Sequence, residues 1–283
     1  MITERDILIL HALVQYFVLN RQQIQRLVFP DDNNGRITRR RLQLLVDNHF
    51  INRQNMLYCF PGVSPAPVYY PSQKGCDFLA EHLDDDRIQQ TPTQTPIHHH
   101  VLHWLAVSDT HITLNEAIGA QEDAAVEGWI NEWDVVNKDE TAPEKKFRLY
   151  TLLRDNPRLV CAPDAAFLLS MHGHRKVFYI EQDRATSGVQ QVANGKSQGY
   201  AALAQQSRHL KHFPTTTVNS FSVLMITMNP KRRDNLRRAF QEKPGNELWR
   251  FAAVQDVTPE KFLFEPIFYA CNDNDPKPLV KRI

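Results

Sequence analysis

The sequence predicts a mixed α/β protein, of the α+β type, that is divided into two domains. Its 283 residues exceed the usual size of one small domain. Hydrophobic residues make up 42% of the chain and charged residues 23%, which supplies enough apolar side chains for folded cores. Helical and strand-like hydrophobic patterns both occur along the chain, so both kinds of element are expected. This composition excludes a chain that is disordered over most of its length.

The overall charge gives no bulk attraction to a polyanion, because 33 Lys and Arg residues are balanced by 32 Asp and Glu residues. Any contact with nucleic acid therefore needs local clustering of basic residues. No stretch approaches the ~18 consecutive apolar residues of a membrane helix, and the N-terminal residues lack a signal-peptide pattern. The cysteines are isolated, which is typical of a reducing compartment, so we expect a cytoplasmic protein. They are Cys59, Cys76, Cys161 and Cys271.

A polar segment separates the two predicted domains. Residues 84–96 combine aspartates, glutamines, threonines and prolines with one aliphatic side chain, a composition that is typical of a linker. Residues 1–83 then form an N-terminal domain, and residues 97–271 form a C-terminal domain. Residues 272–283 are rich in turn-forming residues, and we expect them to be a flexible tail.

The N-terminal domain is predicted to contain three helices, a β-ribbon and a closing helix. Thr3 with Asp6 starts the first helix, Asn20 caps the second, and the third runs from about Ile37 to Asn48. Alternating apolar residues then predict short strands, and the closing helix follows them. The strand-like segments are Ile51–Arg53, Met56–Phe60 and Val68–Tyr70. This order is that of a winged helix-turn-helix, whose third helix can enter the major groove of DNA.

The third predicted helix carries a local concentration of positive charge. Its basic residues lie opposite the apolar Leu42 and Leu45, and Asp47 is the one carboxylate in this segment of the sequence. Like charges on one helix repel each other, so such crowding is costly unless a polyanion uses it. The alternative is a winged helix that contacts protein and has a solvated basic face. The predicted contacts to double-stranded DNA are Arg36, Arg39, Arg40, Arg41, Gln43 and Arg53.

In the C-terminal domain, two apolar segments flank a short turn and predict a β-hairpin centred near Gly173. With this centre, Asp164 lies opposite Gln182. It is then between Glu181 and Asp183, which point to the same face because side chains alternate along a strand. A shift of one residue places Asp164 directly opposite one of these two carboxylates. Either register gathers three carboxylates at one end of the hairpin.

This carboxylate cluster predicts a site for a divalent cation. Like charges that face each other in a sheet are destabilising unless a cation binds them. Ligands that are all oxygen favour Mg²⁺ or Mn²⁺. We therefore predict Asp164, Glu181 and Asp183 as metal ligands, with Glu132 as a further candidate. The alternative is that Asp164 caps a turn after Pro163 and that the other two are solvated residues at a strand end.

A helix predicted from Gln190 to Gln206 adds two polar side chains to this site. Lys196 and Tyr200 are four residues apart and therefore lie on one face of the helix. A lysine there could stabilise negative charge on a phosphate. For Tyr200 three alternatives remain, namely a packing ring, a hydrogen-bond donor to phosphate and a nucleophile.

The rest of the C-terminal domain alternates strands and helices, which predicts a compact α/β domain. Strands are expected at Ser220–Thr227 and Glu247–Val254, with a helix after Asn229-Pro230 between them. That helix carries five basic side chains. They are either a second contact to phosphate or a solvated face.

The C-terminal motifs resemble the PD-(D/E)XK nuclease superfamily, through Pro163-Asp164, the hairpin, Glu181-x-Asp183 and Lys196. The whole chain resembles the replication-relaxation family over nearly all of residues 1–270. This family is associated with plasmids and other mobile elements, and it includes, or stands close to, MobC-type relaxases. The order and spacing of short motifs carry this resemblance. They are Arg5-Asp6-Ile7-Leu8, Gln23–Leu27, Arg39–Leu42, Pro163-Asp164-Ala165, Ile180–Thr186, Lys196 with Tyr200, and Arg233–Leu236.

The resemblance implies a DNA-binding, Mg²⁺-dependent endonuclease or relaxase that nicks or processes DNA at a transfer or replication origin. Its implied catalytic residues are Asp164, Glu181, Asp183, Lys196 and Tyr200. The implied partners are double-stranded DNA, other relaxosome or replication proteins, and a second copy of the chain in a homodimer.

One departure from the superfamily pattern affects the implied activity. The pattern has Lys two residues after the strand Glu, where this chain has Asp183, and we expect Lys196 to replace it from the helix. If Lys196 does not reach the site, the alternative is a catalytically inactive nuclease fold that acts as an accessory or regulator of plasmid replication or conjugation. A transcription factor that senses a small molecule is a third alternative, and the sequence shows no apolar ligand pocket that would favour it.

Overall fold

The structure is a computed structural model that describes residues 2–56 and 66–282. It combines helices with mainly antiparallel and partly parallel sheets, so the mixed α/β class predicted from the sequence is confirmed. The chain divides into two compact units between Ile112 and Thr113. Within the described part of the chain, no helix has the length and apolar character needed to cross a membrane.

The first unit consists of helices and three short paired strands. The helices and the strands near residues 51 and 68 follow the predicted order, whereas the two-residue strand between the first two helices was not predicted from the sequence. Its elements are α1 (Glu4–Tyr16), β1 (Leu19–Asn20), α2 (Arg21–Val28), α3 (Arg36–Asp47), β2 (Ile51–Gln54), β3 (Val68–Pro71), α4 (Gln73–Leu83), a 3₁₀ turn (Asp86–Gln90) and the start of α5 (His98–Gly119). The strand β3 pairs with both β1 and β2 in antiparallel orientation. Of the predicted strand Met56–Phe60, all residues except Met56 lie outside the described residues.

Reciprocal polar contacts fix the start of α2. Asn20 Oδ1 accepts a hydrogen bond from the Gln23 amide at 2.9 Å, and Gln23 Oε1 accepts one from the Asn20 amide at 3.0 Å. Such reciprocal bonds satisfy amides that have no partner inside the helix. Behind these caps, α1, α2, α3 and α4 bury aliphatic side chains in one core, to which Leu13, Ile24 and Leu42 belong.

The structure differs from the prediction of a linker at residues 84–96. This segment contains the 3₁₀ turn, and its one aliphatic side chain, Ile88, is buried in the core of the first unit. One apolar residue is therefore enough to anchor a segment whose composition is otherwise that of a linker. The division of the chain consequently falls later than the sequence predicts, inside α5.

The second unit is built around a mixed six-stranded sheet. Its elements are β4 (Ala124–Asn131), α6 (Pro143–Lys146), β5 (Thr151–Arg154), β6 (Leu159–Cys161), β7 (Ala165–Met171), β8 (His174–Asp183), α7 (Val189–Gln205), α8 (His209–His212), β9 (Phe221–Thr227), α9 (Pro230–Phe240), β10 (Trp249–Ala253) and β11 (Tyr269–Ala270), with 3₁₀ turns at Asn246–Leu248 and Val254–Asp256. The strand order is β11-β10-β9-β8-β7-β4, and β5 pairs with β6 separately. The strands β8, β9 and β10 are parallel, and α7 and α9 connect them.

The predicted hairpin is present as β7 and β8. Its turn consists of His172 and Gly173, both with left-handed φ, between the paired Met171 and His174. Two residues with positive φ suit the right-handed twist of a tight hairpin. The register differs by one residue from the first of the two registers considered above, because the turn holds two residues and is not centred on Gly173.

The predicted flexible tail also differs from the structure. Lys277 forms an isolated antiparallel bridge with Phe268, and the Val280 amide donates to the Leu263 carbonyl at 2.9 Å. These bonds attach the end of the chain to the second unit. Turn-forming composition predicts the bends of this segment but not the backbone partners that hold it.

Candidate functional site

The hairpin register brings two of the predicted carboxylates together at one end of the sheet. Asp164 directly precedes β7, and continuing the ladder beyond Ala165 and Ile180 places it opposite Glu181. The Asp164 amide donates to the Ile180 carbonyl at 3.2 Å. Its carboxylate oxygen Oδ2 in turn accepts a hydrogen bond from the Gln182 amide at 2.7 Å. The backbone of β8 therefore fixes the position of the Asp164 carboxylate.

Glu181 is almost completely buried and is held by two side chains of α7. Its Oε1 accepts a hydrogen bond from the Tyr200 hydroxyl at 2.6 Å, and its Oε2 lies 2.7 Å from Lys196 Nζ. Burial and the nearby Asp164 carboxylate raise the pKa of Glu181 to about 7, although Lys196 and Tyr200 act in the opposite direction. Near neutral pH this carboxyl can therefore hold or release a proton.

Lys196 lies beside two of the three predicted carboxylates. Its Nζ lies 2.7 Å from Glu181 Oε2 and 3.9 Å from Asp164 Oδ1, and it donates to the Ala162 carbonyl at 3.3 Å. Burial alone would lower the pKa of Lys196, but the two carboxylates outweigh this effect and raise that pKa. The side chain as a whole keeps 35% of its surface exposed, while its amine is held by Glu181 and the Ala162 carbonyl.

Tyr200 lies in the core, where it acts as a hydrogen-bond donor and a packing ring. Its side chain is 1% exposed and packs against the rings of Tyr179 and Trp249. Burial, with the negative charge of Glu181 beside it, raises the pKa of the Tyr200 phenol well above its ordinary value. The structure thus places this hydroxyl toward Glu181 and not toward solvent, which disfavours the nucleophile among the three alternatives.

Asp183 does not join the other two carboxylates at Lys196, since both of its oxygens accept hydrogen bonds from Arg232. The Nε and a terminal nitrogen of Arg232 lie 2.8 Å from Asp183 Oδ2 and Oδ1, respectively. Arg232 also donates to the Ser187 carbonyl at 2.7 Å. This arginine comes from α9 and lies 49 residues further along the chain, so no pattern within β8 could indicate it.

Glu132, the further candidate ligand, lies beside Asp164. Its amide donates to the Asp164 carbonyl at 3.1 Å. A carboxylate oxygen of Glu132 and one of Asp164 lie within 4.8 Å of each other. These two carboxylates, and that of Glu181 opposite Asp164 in the ladder, offer hard oxygen donors, which Mg²⁺ and Mn²⁺ prefer in proteins. The residues present therefore fit such an ion.

The predicted DNA contacts of the first unit lie on the outer face of α3 and on β2. Arg36, Arg39, Arg40 and Gln43 are exposed on α3, and Arg53 is exposed on β2. Arg39 donates to the Asn34 carbonyl at 3.0 Å, and Gln43 donates to Asp47 at 2.7 Å. The exposed arginines form a cationic surface that a polyanion can approach.

Arg41 differs from its neighbours because it is bound inside the first unit. Its guanidinium forms a two-point ion pair with the fully buried Asp6, whose carboxylate also accepts hydrogen bonds from Thr3. Burial alone would raise the pKa of Asp6, but the bonds from Arg41 and Thr3 hold it below its ordinary value. Arg41 thus connects α3 to α1, a contact that no pattern within α3 itself could indicate.

The basic side chains of α9 are mostly engaged within the second unit. Arg233 contacts Asp234 and lies over the ring of Tyr269, and Arg237 lies over the same ring. With Arg232 bound to Asp183, these contacts favour an internal role over a phosphate contact for the three arginines. Lys231 and Arg238 remain exposed.

A search of curated proteins and of solved structures finds no match to the chain. The model of one family, described as replication-relaxation, matches residues 10–218. Membership of this family indicates a role in the replication or relaxation of plasmid or other mobile DNA. Because the matched residues make up well over half of the chain, the protein belongs to the replication-relaxation family.

Proposed function

We propose that the protein is a Mg²⁺- or Mn²⁺-dependent DNA endonuclease of the nickase or relaxase type, which acts at a transfer or replication origin. The observation that carries this proposal is the position of the Lys196 amine, 2.7 Å from Glu181 and 3.9 Å from Asp164. A lysine beside two carboxylates at one sheet end is the arrangement that the PD-(D/E)XK resemblance implies. Here the lysine comes from α7 and not from the strand.

Each side chain of the site has a definite part in this proposal. Asp164 and Glu181, with Glu132 beside them, would hold the metal ion, which supplies positive charge to a scissile phosphodiester. The amine of Lys196 would bind the phosphate and stabilise the negative charge that develops on it. Tyr200 and the Gln182 amide keep the two carboxylates in place. Asp183 with Arg232 fixes the end of β8 against α9.

The first unit would supply the contact to duplex DNA. Its order of helices followed by a β-ribbon is that of a winged helix, and the exposed Arg36, Arg39 and Arg40 would meet DNA phosphates along α3. Gln43 and Arg53 are further contacts in this proposal. Arg41 is left out, because its charge is already paired with Asp6.

The proposal is tested by incubating the protein with supercoiled plasmid that carries the cognate origin, in the presence of Mg²⁺ or Mn²⁺. We expect open-circular product with the wild type and none with Asp164→Asn or Glu181→Gln. Asp155→Asn, an identical substitution at an exposed position of the same unit, serves as control and keeps activity. Absence of nicking by the wild type, or nicking that survives in both site variants, would refute the proposal.

A second candidate function is a non-catalytic DNA-binding accessory or regulator. It is favoured by the direct 2.7 Å contact between Lys196 and Glu181, which neutralises this carboxylate without a metal ion. In that case a gel-shift assay shows that the protein binds origin DNA equally well with and without divalent cations. Wild type and Glu181→Gln would then be equally inert toward the plasmid.

A further inference from the structure

The second unit contains a large cavity, lined by both polar and apolar side chains, that plays no part in the proposed nicking site. It has a volume of about 760 Å³ and is lined by residues of α6 and its flanking segments, of β5 and of α8. Pockets of this size accept small molecules or a single nucleotide. The DNA duplex is too wide to enter such a space, so any nucleic acid bound inside it must present an unpaired base.

Positive charge dominates the rim of this cavity. Four basic side chains line it, against the two carboxylates Glu140 and Glu144. Glu144 is already engaged by Arg158, whose guanidinium lies 3.1 Å away. The basic residues are all exposed, so their charges are available to an anionic ligand. They are Lys145, Arg148, Arg208 and Lys211.

Two aromatic rings, those of Phe147 and Tyr150, also line the cavity and are half-buried. Aromatic rings beside a cationic groove are the combination with which proteins bind single strands, because bases stack on the rings while cations meet the backbone. An anionic peptide would need the cations but would make no such use of the two rings. The lining therefore favours a nucleotide strand.

The innermost polar residue of the cavity is connected to the carboxylate site through the core. His212 Nδ1 lies 2.7 Å from the Tyr179 hydroxyl, and the Tyr179 ring packs against that of Tyr200 with centroids 5.7 Å apart. Tyr200 in turn donates to Glu181. Tyr179 and Glu181 are two residues apart on β8 and so point to the same face of the sheet. His212 in the cavity wall thus contacts the same face of β8 that carries Glu181.

We propose that this cavity binds a nucleotide of single-stranded DNA, with Arg148, Arg208 and Lys211 on the phosphates and the rings of Phe147 and Tyr150 against the base. Such a site would hold the strand that becomes unpaired at an origin. The choice of DNA over RNA rests on the function proposed above, whereas the binding itself requires neither metal nor cleavage.

The test measures the anisotropy of a labelled oligothymidylate and of a labelled origin duplex with the full chain, in EDTA so that nicking plays no part. We expect Arg208→Ala with Lys211→Ala to weaken single-strand binding about tenfold and to make the slope of log K against log salt shallower by about 1.4. Duplex binding should change less than about twofold. Phe147→Ala should weaken single-strand binding about fivefold or more.

The matched control is Lys231→Ala with Arg238→Ala, which removes the same charge from exposed positions on α9. It should leave single-strand binding unchanged. Equal losses in both double variants, or unchanged binding in the cavity variants, would overturn the inference. Tighter binding of the corresponding oligouridylate would overturn the choice of DNA, and displacement of the oligonucleotide by equimolar thymidine monophosphate would assign the cavity to a free nucleotide instead. Failure of the nicking assay alone would leave these results unaffected.

Discussion

At the scale of single residues, the hydrogen bond from the Tyr200 hydroxyl influences whether the Glu181 carboxyl is ionised. It donates to Oε1 of this carboxylate at 2.6 Å from a fully buried position. A hydrogen bond to a buried charged group contributes about 1.5–3 kcal/mol to stability. By favouring the ionised carboxylate, it also prepares Glu181 for a cation.

We therefore expect Tyr200→Phe to lower the free energy of unfolding by about 1.5–3 kcal/mol and to slow nicking about tenfold without abolishing it. Urea denaturation and the plasmid assay measure the two effects. Tyr179→Phe is a matched control, since it loses a hydroxyl that contacts His212 and not Glu181. It should lose stability but keep nicking. A complete loss of nicking in Tyr200→Phe, with loss of a covalent protein–DNA adduct formed by the wild type, would instead identify Tyr200 as the nucleophile.

At this scale, contacts can be predicted from the sequence where the partners are close in the chain or related by a single hairpin. The meeting of Asp164, Glu181 and Lys196 follows from one turn and one helical face. The roles of Arg41 and Asp183 could not be predicted, because their partners Asp6 and Arg232 lie on elements distant in sequence. A periodic pattern shows which face a side chain occupies but not which charge it meets there.

At the scale of elements, the position of α7 depends on Gly199. A Cβ at this residue would lie 2.7 Å from the Val160 carbonyl oxygen of β6, a contact with backbone that cannot move aside easily. The glycine thus lets α7 approach β6 closely. This approach sets the depth at which Lys196 and Tyr200 reach Glu181.

We expect Gly199→Ala to lower the free energy of unfolding by about 1–3 kcal/mol and to reduce nicking, because the helix must shift away from β6. Gly195→Ala is the matched control on the same helix, since its added methyl group would meet no atom within 4 Å. That substitution should stabilise the protein by up to about 1 kcal/mol through helix propensity. Thermal melts and the plasmid assay distinguish the two variants. Equal behaviour of both would show that α7 tolerates displacement.

The outer face of α3 gives a second prediction at this scale. Arg36→Ala with Arg40→Ala should weaken duplex binding and make the slope of log K against log salt shallower by about 1.8, since each lost phosphate contact changes it by about 0.9. Arg5→Ala with Arg87→Ala removes the same charge from exposed positions elsewhere in the first unit and should leave the slope unchanged. Equal slopes for wild type and the α3 variant would favour the alternative in which α3 contacts protein.

At the scale of the whole molecule, length and composition predict that the chain has two units, but they do not predict where the boundary between the units falls. A single buried isoleucine attaches the supposed linker to the first unit. The tail is likewise held by backbone bonds, of the kind that composition does not reveal. The strand order in the sheet of the second unit could not be predicted from the sequence either, because it depends on which strands pair across the intervening helices.

The stability of the protein should depend on pH through buried histidines. Burial lowers the pKa of His212 from 6.5 to about 4, so its neutral form is favoured in the folded state. The resulting contribution is present above pH ~6.5 and is lost as the pH falls toward ~4, about 2 kcal/mol of it between pH ~7.5 and ~5. Urea denaturation at these two pH values measures the decrease in the free energy of unfolding on acidification. This decrease should be about 2 kcal/mol smaller in His212→Gln than in the wild type. The exposed His174→Gln should behave like the wild type, and an equal loss in His212→Gln would contradict this origin of the pH effect.

The central claim is that Asp164 and Glu181 hold a divalent cation beside the Lys196 amine. The most direct measurement is the electron paramagnetic resonance signal of free Mn²⁺ during titration with the protein, in the absence of DNA. We expect the wild type to remove Mn²⁺ from solution, and we expect Asp164→Asn and Glu181→Gln each to weaken this uptake at least about tenfold, while Asp155→Asn retains it. Failure of the wild type to take up Mn²⁺, or equal uptake by both site variants, would contradict the account.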